Sequence, residues 1–230
     1  MFYYDPTYIL VVIGIVLTLL ASAHVNHTYK KYSKINNSIG LTGYGVAIKI
    51  LQANGLDKVK IERVSGQLTD HYDPTNNTLR LSDSTYNSTS IAAIAVAAHE
   101  CGHAIQHSVN YKPISIRSHL VPIANIGSQI SLPLIIVGMF FNSHTGYTLM
   151  MCGVICFALA VLFQVVTLPV EFNASNRALS QIQKLSLLDS NEMYYGEKML
   201  KAAALTYVAG VAASLLQLLR LIIIAKSNDD

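Results

Sequence analysis

The chain has 230 residues, enough for one domain with appended elements. Hydrophobic residues make up 52% and charged residues only 13%, against a usual charged share of about 25%, and tryptophan is absent. That composition points to a membrane protein with a modest polar portion, and a net charge of +3 without a basic stripe interleaved with aromatics excludes nucleic acid as a partner.

Residues 6–23, PTYILVVIGIVLTLLASA, are the first of four apolar runs near the ~20 residues needed to span a bilayer. The preceding residues carry Asp5 and no Lys or Arg, whereas Lys30, Lys31 and Lys34 follow the run. This predicts a retained anchor, not a cleaved signal peptide, with the N-terminus outside and residue 30 inside. Residues 43–54, GYGVAIKILQAN, predict a helix closed by Gly55. KVKIERV (58–64) and TLRLS (78–82) read as strands, and DHYDPTNN (70–77) between them carries turn chemistry, so a small hairpin or sheet edge is expected. The strand at 78–82 is a candidate for pairing with an extended substrate. NSTS (87–90) then supplies a helix cap.

The second run covers residues 119–141 and is the least apolar, with Pro122, Asn125, Ser128 and Gln129 in its first half. The third covers 146–170 and the fourth 202–225, where Arg220 is expected to snorkel to the interface. Cys152 and Cys156, one turn apart in the third run, are expected to be buried, inert thiols; no disulfide framework is implied. Lys112, Arg117, Arg177, Lys184, Lys198 and Lys201 fall on the same side as residue 30, the loop 142–145 has no positive residue, and the NDD tail is expected outside. Residues 171–201 are expected to be helical. Ala209, Gly210, Ala213 and Ser214 favour helix packing, within the chain or in a homo-oligomer.

The segment AVAAHECGHAIQH (95–107) sets His99, Glu100 and His103 in the arrangement H-E-x-x-H. Residues four apart share a helix face, so the two imidazoles can reach one ion. Glu100, turned by ~100° from His99, can reach a water there as general base. A charged glutamate on an apolar helix is costly without a partner, which favours a site over two satisfied core histidines. Zinc in a hydrolase usually takes three protein ligands. His107 continues the row, but eight helical residues span ~12 Å, so three such histidines cannot converge. H-E-x-x-H-x-x-G-x-x-H fails too, because Gln106 and Val109 stand at its glycine and last histidine. Glu171, Glu192 and Glu197 are the glutamates after the motif. Glu171 is the strongest candidate, because it ends the third apolar run, where an acidic group is expensive unless bound. A helix continuing from Pro169 would project it at the motif helix, giving a His2Glu set with an open position for water.

AAHECGHAIQH, followed about 70 residues later by LPVEFNASNRAL, resembles the bacterial membrane-bound neutral zinc metallopeptidases of the YugP type. The likeness extends to GLTGYGVA (40–47), to GQLTDHYDPTNNTLRLS (66–82) and to the order of the apolar runs, hence to nearly the whole chain. More distantly, the layout is similar to the HtpX and CAAX-prenyl proteases, gluzincins whose third ligand lies in E-x-x-A-D. Glu171 falls on the ligand glutamate and Ala174 on the alanine, while Ser175 stands where those relatives have aspartate. That aspartate supports a ligand histidine, a task open here to Ser175, Asn173 or Asp73. The resemblance implies a zinc endopeptidase of the bacterial plasma membrane with one zinc per chain, and it supplies no substrate.

The expected protein is therefore mainly α, a multi-pass membrane protein with a small α+β zincin-like module whose hairpin or sheet packs on the H-E-x-x-H helix. Residues 1–25 form the anchor, 26–118 the catalytic module, 119–170 two further spans, 171–201 the helix completing the site, and 202–230 the last span with its tail. The expected chemistry is hydrolysis of peptide bonds at a cytoplasmic-side site, with zinc on His99, His103 and Glu171 and Glu100 as base, acting on peptides or proteins, membrane proteins among them. His71, Tyr72, Tyr86 and Arg177 are candidates for a second oxyanion donor or substrate contact, Arg177 and His71 first. One rival is an intramembrane site-2-type protease with Asp189 as third ligand, disfavoured because the apolar stretch before His99 is about 10 residues, short of a span's ~20. The other is a non-catalytic scaffold with a structural metal site, disfavoured by the intact Glu100.

Overall fold

The computed structural model describes residues 5–141 and 144–227. The NDD tail lies outside the described residues, as do residues 142 and 143 of the short loop. In chain order the elements are α1 (Tyr8–Tyr32), α2 (Gly43–Ala53), β1 (Lys60–Val64), β2 (His71–Asp73), β3 (Thr78–Ser82), α3 (Asp83–Tyr86), α4 (Ile91–Ser108), α5 (Lys112–Met139), α6 (His144–Lys184) and α7 (Ser190–Ser227). Among the described residues, α1, α5, α6 and α7 are long and apolar enough to cross a membrane. The protein is thus a mainly helical, multi-pass membrane protein with a small α+β module. Contacts divide the chain into two compact units, one of Met1–Ser22, Ser115–Leu168 and Thr206–Asp230, the other of Ala23–Ile114 and Pro169–Leu205.

In the first unit many large apolar side chains face outward. Ile9, Leu19 and Leu20 of α1, Ile126 and Leu132 of α5 and Leu215 of α7 are exposed, as lipid-facing positions would be. Helix contacts use small residues: a Cβ on Gly14 would meet the Ala213 side chain at 3.1 Å. Ser214 Oγ donates to Gln164 Oε1 at 2.8 Å, so two members of the small-residue pattern on α7 serve packing within the chain, while a Cβ on Gly210 would meet no described atom within 4 Å outside its own helix backbone. Pro122 and Pro133 lie inside an unbroken α5, as neighbouring helices permit in a bilayer. Arg220, expected to snorkel to the interface, donates from Nη2 to Asp5 Oδ2, just before α1, at 3.1 Å and lies over the Tyr8 ring, so its charge has an ion-pair partner. The expectation of buried thiols at Cys152 and Cys156 fails, since Cys152 is exposed and Cys156 half-buried. A run that is hydrophobic all round gives no periodicity from which to tell protein-facing from outward-facing residues.

The second unit has its own core, formed by Val46, Ile50 and Leu51 of α2, Leu79 and Leu81 of β3, Ala97, Ala98 and Cys101 of α4, and Ala178 and Ile182 of α6. Local rules place the helix ends. Thr42 Oγ1 accepts from Gly45 N at 3.1 Å to start α2, and Gly55 at φ +68° follows its last turn. Ser90 Oγ accepts from Ala93 N at 3.2 Å to start α4, as NSTS led us to expect. Before α7, Asp189 Oδ1 accepts from Glu192 N and Glu192 Oε2 accepts from Asp189 N, a reciprocal capping box. Asp189 and Glu192 are thereby committed to a helix end.

The sheet is ordered β1-β3-β2, with β1 parallel and β2 antiparallel to β3. The two strands read from sequence are present, but they are parallel neighbours and not the two arms of a hairpin. The hairpin is β2–β3, and β2 lies inside the segment read as turn. Its tight turn is built by Asp73, whose Oδ1 accepts from Thr75 N at 3.0 Å, and by Asn77 at φ +48°. Glu62 stands opposite Arg80 in register and pairs with it at 3.2 Å; Arg80 reaches on to Asp73 at 2.9 Å. Because β3 has a neighbour on both sides, it has no edge to offer a substrate; the free edges belong to β1 and β2.

Candidate metal centre

Alanine and glycine let α4 approach its neighbours closely. A Cβ on Gly102 would stand 2.5 Å from the Ala174 carbonyl oxygen, so the backbones of α4 and α6 meet at the motif. The His99 and His103 rings lie one turn apart, edge to face, with centroids 4.8 Å apart. Across the contact, the buried Glu171 brings Oε2 to 3.3 Å from His99 Nε2 and 3.5 Å from His103 Nε2. An ion bound tetrahedrally at ~2.0–2.1 Å sets its ligand atoms ~3.3–3.4 Å apart, so these separations fit zinc. Among the described residues, His99, His103 and Glu171 are the group of His, Cys, Asp or Glu side chains whose ligand atoms converge closely enough to hold a metal.

The far side of each imidazole is also engaged. His99 Nδ1 lies 3.1 Å from Ser175 Oγ, one turn beyond Glu171 on α6. His103 Nδ1 lies 3.0 Å from Gln106 Oε1. The Gln106 amide has one orientation, because its Nε2 donates to the Val170 carbonyl at 2.8 Å and to Asn173 Oδ1 at 3.0 Å. Its Oε1 must therefore accept from His103, which puts the proton on Nδ1 and turns the Nε2 lone pair toward Glu171. Asn173 Oδ1 also accepts from Arg177 Nε at 2.7 Å, and the Arg177 guanidinium lies over the Tyr111 ring. The chain Arg177, Asn173, Gln106, His103 thus runs from the flank of the site to a candidate ligand. Replacing Ser175 or Gln106 with alanine should each weaken zinc affinity by about 10–100-fold, the usual effect of losing such partners. Competition with a chromogenic chelator measures it, and affinities equal to the parent would mean that these bonds do not orient the rings.

Glu100 is half-buried, and its Oε2 accepts from the backbone N–H of Tyr72 on β2 at 3.1 Å. Burial pushes its carboxyl above the usual carboxylate range, against the pull of His103 and His99. Burial likewise pushes the Cys101 thiol up, and its Sγ points toward the Ala47 carbonyl, so this cysteine behaves as a core residue.

The other sequence candidates sit as follows. Tyr72 contributes its backbone N–H, while its hydroxyl donates to Asn77 at 2.9 Å. His71 is exposed, with Nδ1 at 2.9 Å from the Thr69 carbonyl, and Tyr86 stacks on Tyr44. His107 lies by the Tyr72 ring, outside the cluster. Of the residues weighed for histidine support, Ser175 takes that position, Asn173 acts one bond further out, and Asp73 is bound to Arg80, which holds its carboxyl well below the usual range. Sequence reasoning missed Gln106. Its signal was present: a polar residue three positions after His103 on a mostly apolar helix, which on burial must find partners.

The family described as "Putative neutral zinc metallopeptidase" matches residues 7–226 of this chain. The chain is also 44% identical over 214 residues to the "Putative membrane protease YugP" of Bacillus subtilis (strain 168), covering 93% of this chain and 94% of that protein. No solved structure matches it. A near full-length family match, and a two-histidine, one-glutamate cluster whose spacing suits zinc, agree: the chain belongs to this neutral zinc metallopeptidase family.

Proposed function

We propose that the protein is a zinc-dependent endopeptidase of the plasma membrane, with His99, His103 and Glu171 holding one zinc ion and Glu100 as general base. The observation that carries this reading is Glu171 Oε2 standing 3.3 and 3.5 Å from the two Nε2 atoms. Zinc in that position would polarise the scissile carbonyl and make a water more acidic. Glu100 takes a proton from the attacking water and hands it to the leaving amine. Ser175 and Gln106 keep both imidazoles aimed inward through catalysis.

The positive residues flanking the apolar runs favour a site on the cytoplasmic side, acting on proteins and peptides, membrane proteins among them. A reporter fused after Lys34 tests the orientation, and an external signal reverses it. The function is tested by removing the metal. Chelation of the purified protein should abolish casein cleavage, and one equivalent of zinc per chain should restore it. Cleavage that continues unchanged in the stripped protein would refute the reading.

A further inference from the structure

Away from the metal centre, a surface cavity of about 290 Å³ lies between α1 and α7. His24, His27 and Lys31 line it from α1, and Lys198 and Lys201 from α7. The spacings of three and four residues put each set on one helix face. The floor includes the buried Thr28 and Tyr32. Glu197 pairs with Lys201 at 2.5 Å, which offsets one of the three ammonium charges and leaves the rim cationic. Leu205, 49% exposed, continues the lining on the apolar side. The rim also has a defined place in the sequence. The first apolar run ends at Ala23, next to His24, and the last begins at Ala202, next to Lys201. Both rims therefore stand where an apolar helix gives way to polar residues, the level of lipid headgroups.

We propose that this cavity binds the phosphate of an anionic phospholipid. The phosphate oxygens accept from the ammonium groups and imidazole N–H groups of the rim, and an acyl chain follows the exposed Leu205 onto the apolar helix. That apolar extension favours a lipid over free phosphate or an acidic peptide, neither of which has a use for it.

The test is titration of the full-length zinc-loaded protein in neutral detergent, followed by native mass spectrometry. The probes are dioleoylphosphatidylglycerol, dioleoylphosphatidylcholine and inorganic phosphate. The anionic phosphatidylglycerol should bind in preference to both others. Lys198→Gln with Lys201→Gln should weaken it about thirty-fold, taking about five-fold per basic side chain at a lipid surface. Lys198→Arg with Lys201→Arg keeps the charge and should keep the binding, which separates charge loss from damage to the fold. Lys30→Gln with Lys34→Gln removes equal charge nearby from residues that do not line the cavity, and should change nothing. Equal binding of the two lipids, or equal weakening by the Lys30/Lys34 pair, would overturn the proposal. So would inorganic phosphate binding as tightly as the lipid, which would assign the cavity to a free anion. Zinc content, read on the same samples, should be the same for all variants.

Discussion

Glu171→Ala is expected to cost the protein its zinc. Two imidazoles one helical turn apart bind an ion weakly alone, and Glu171 Oε2 is the third atom at tetrahedral spacing from both. Loss of a direct ligand should exceed the ~10–100-fold penalty for losing a partner behind a ligand, so purified Glu171→Ala should carry far less than one zinc per chain. Asp189→Ala is the matched control. Its carboxylate caps α7, so that variant should keep its zinc and lose some stability. If Asp189→Ala lost the metal while Glu171→Ala held it as well as the parent, the ligand set would be wrong and the rival intramembrane arrangement would gain support.

Glu100→Gln should do the opposite. The side chain lies outside the convergent group and is held by the Tyr72 N–H, a bond that the glutamine carbonyl can still accept. Zinc content should therefore be unchanged. Proton transfer would be lost, with a fall in kcat of about 10²–10⁴-fold, the usual contribution of a positioned general base. The measurement is casein or membrane-protein cleavage by variant and parent at matched zinc loading. A variant that cleaves at the parental rate would remove Glu100 from the mechanism, and one that loses its zinc would make it a structural residue.

Features set by short-range chemistry were legible in the chain. Ser90 and Gly55 mark helix ends because capping involves residues at most a few positions apart. His99 and His103 share a face by helical period alone. The long-range partner Glu171 was found by cost, since a carboxylate ending an apolar run needs something to bind. What could not be read was decided by contacts distant in sequence. β2 is only three residues long and lies in a segment, 70–77, rich in turn formers, and it becomes a strand through pairing with β3. β1 and β3 are parallel, and not the two arms of a hairpin, because β2, inside the segment read as turn, already reverses the chain between them. Gln106 was met only as a residue that breaks a longer zinc motif. Its role depends on the Val170 carbonyl, supplied by another helix 64 positions away. Arg177, a candidate donor to the reaction, donates from Nε to Asn173 Oδ1, one turn back on its own helix. In the apolar spans the pattern carries no face at all, which is why Cys152 and Cys156 were misplaced.

X-ray absorption at the zinc edge of the purified protein tests the central claim most directly. The account predicts a first shell of nitrogen and oxygen only at ~2.0–2.2 Å, with the outer scattering of two imidazoles and no sulfur at ~2.3 Å. A sulfur contribution, which would bring Cys101 or another thiol to the metal, or scattering from a single imidazole, would contradict a site built from His99, His103 and Glu171.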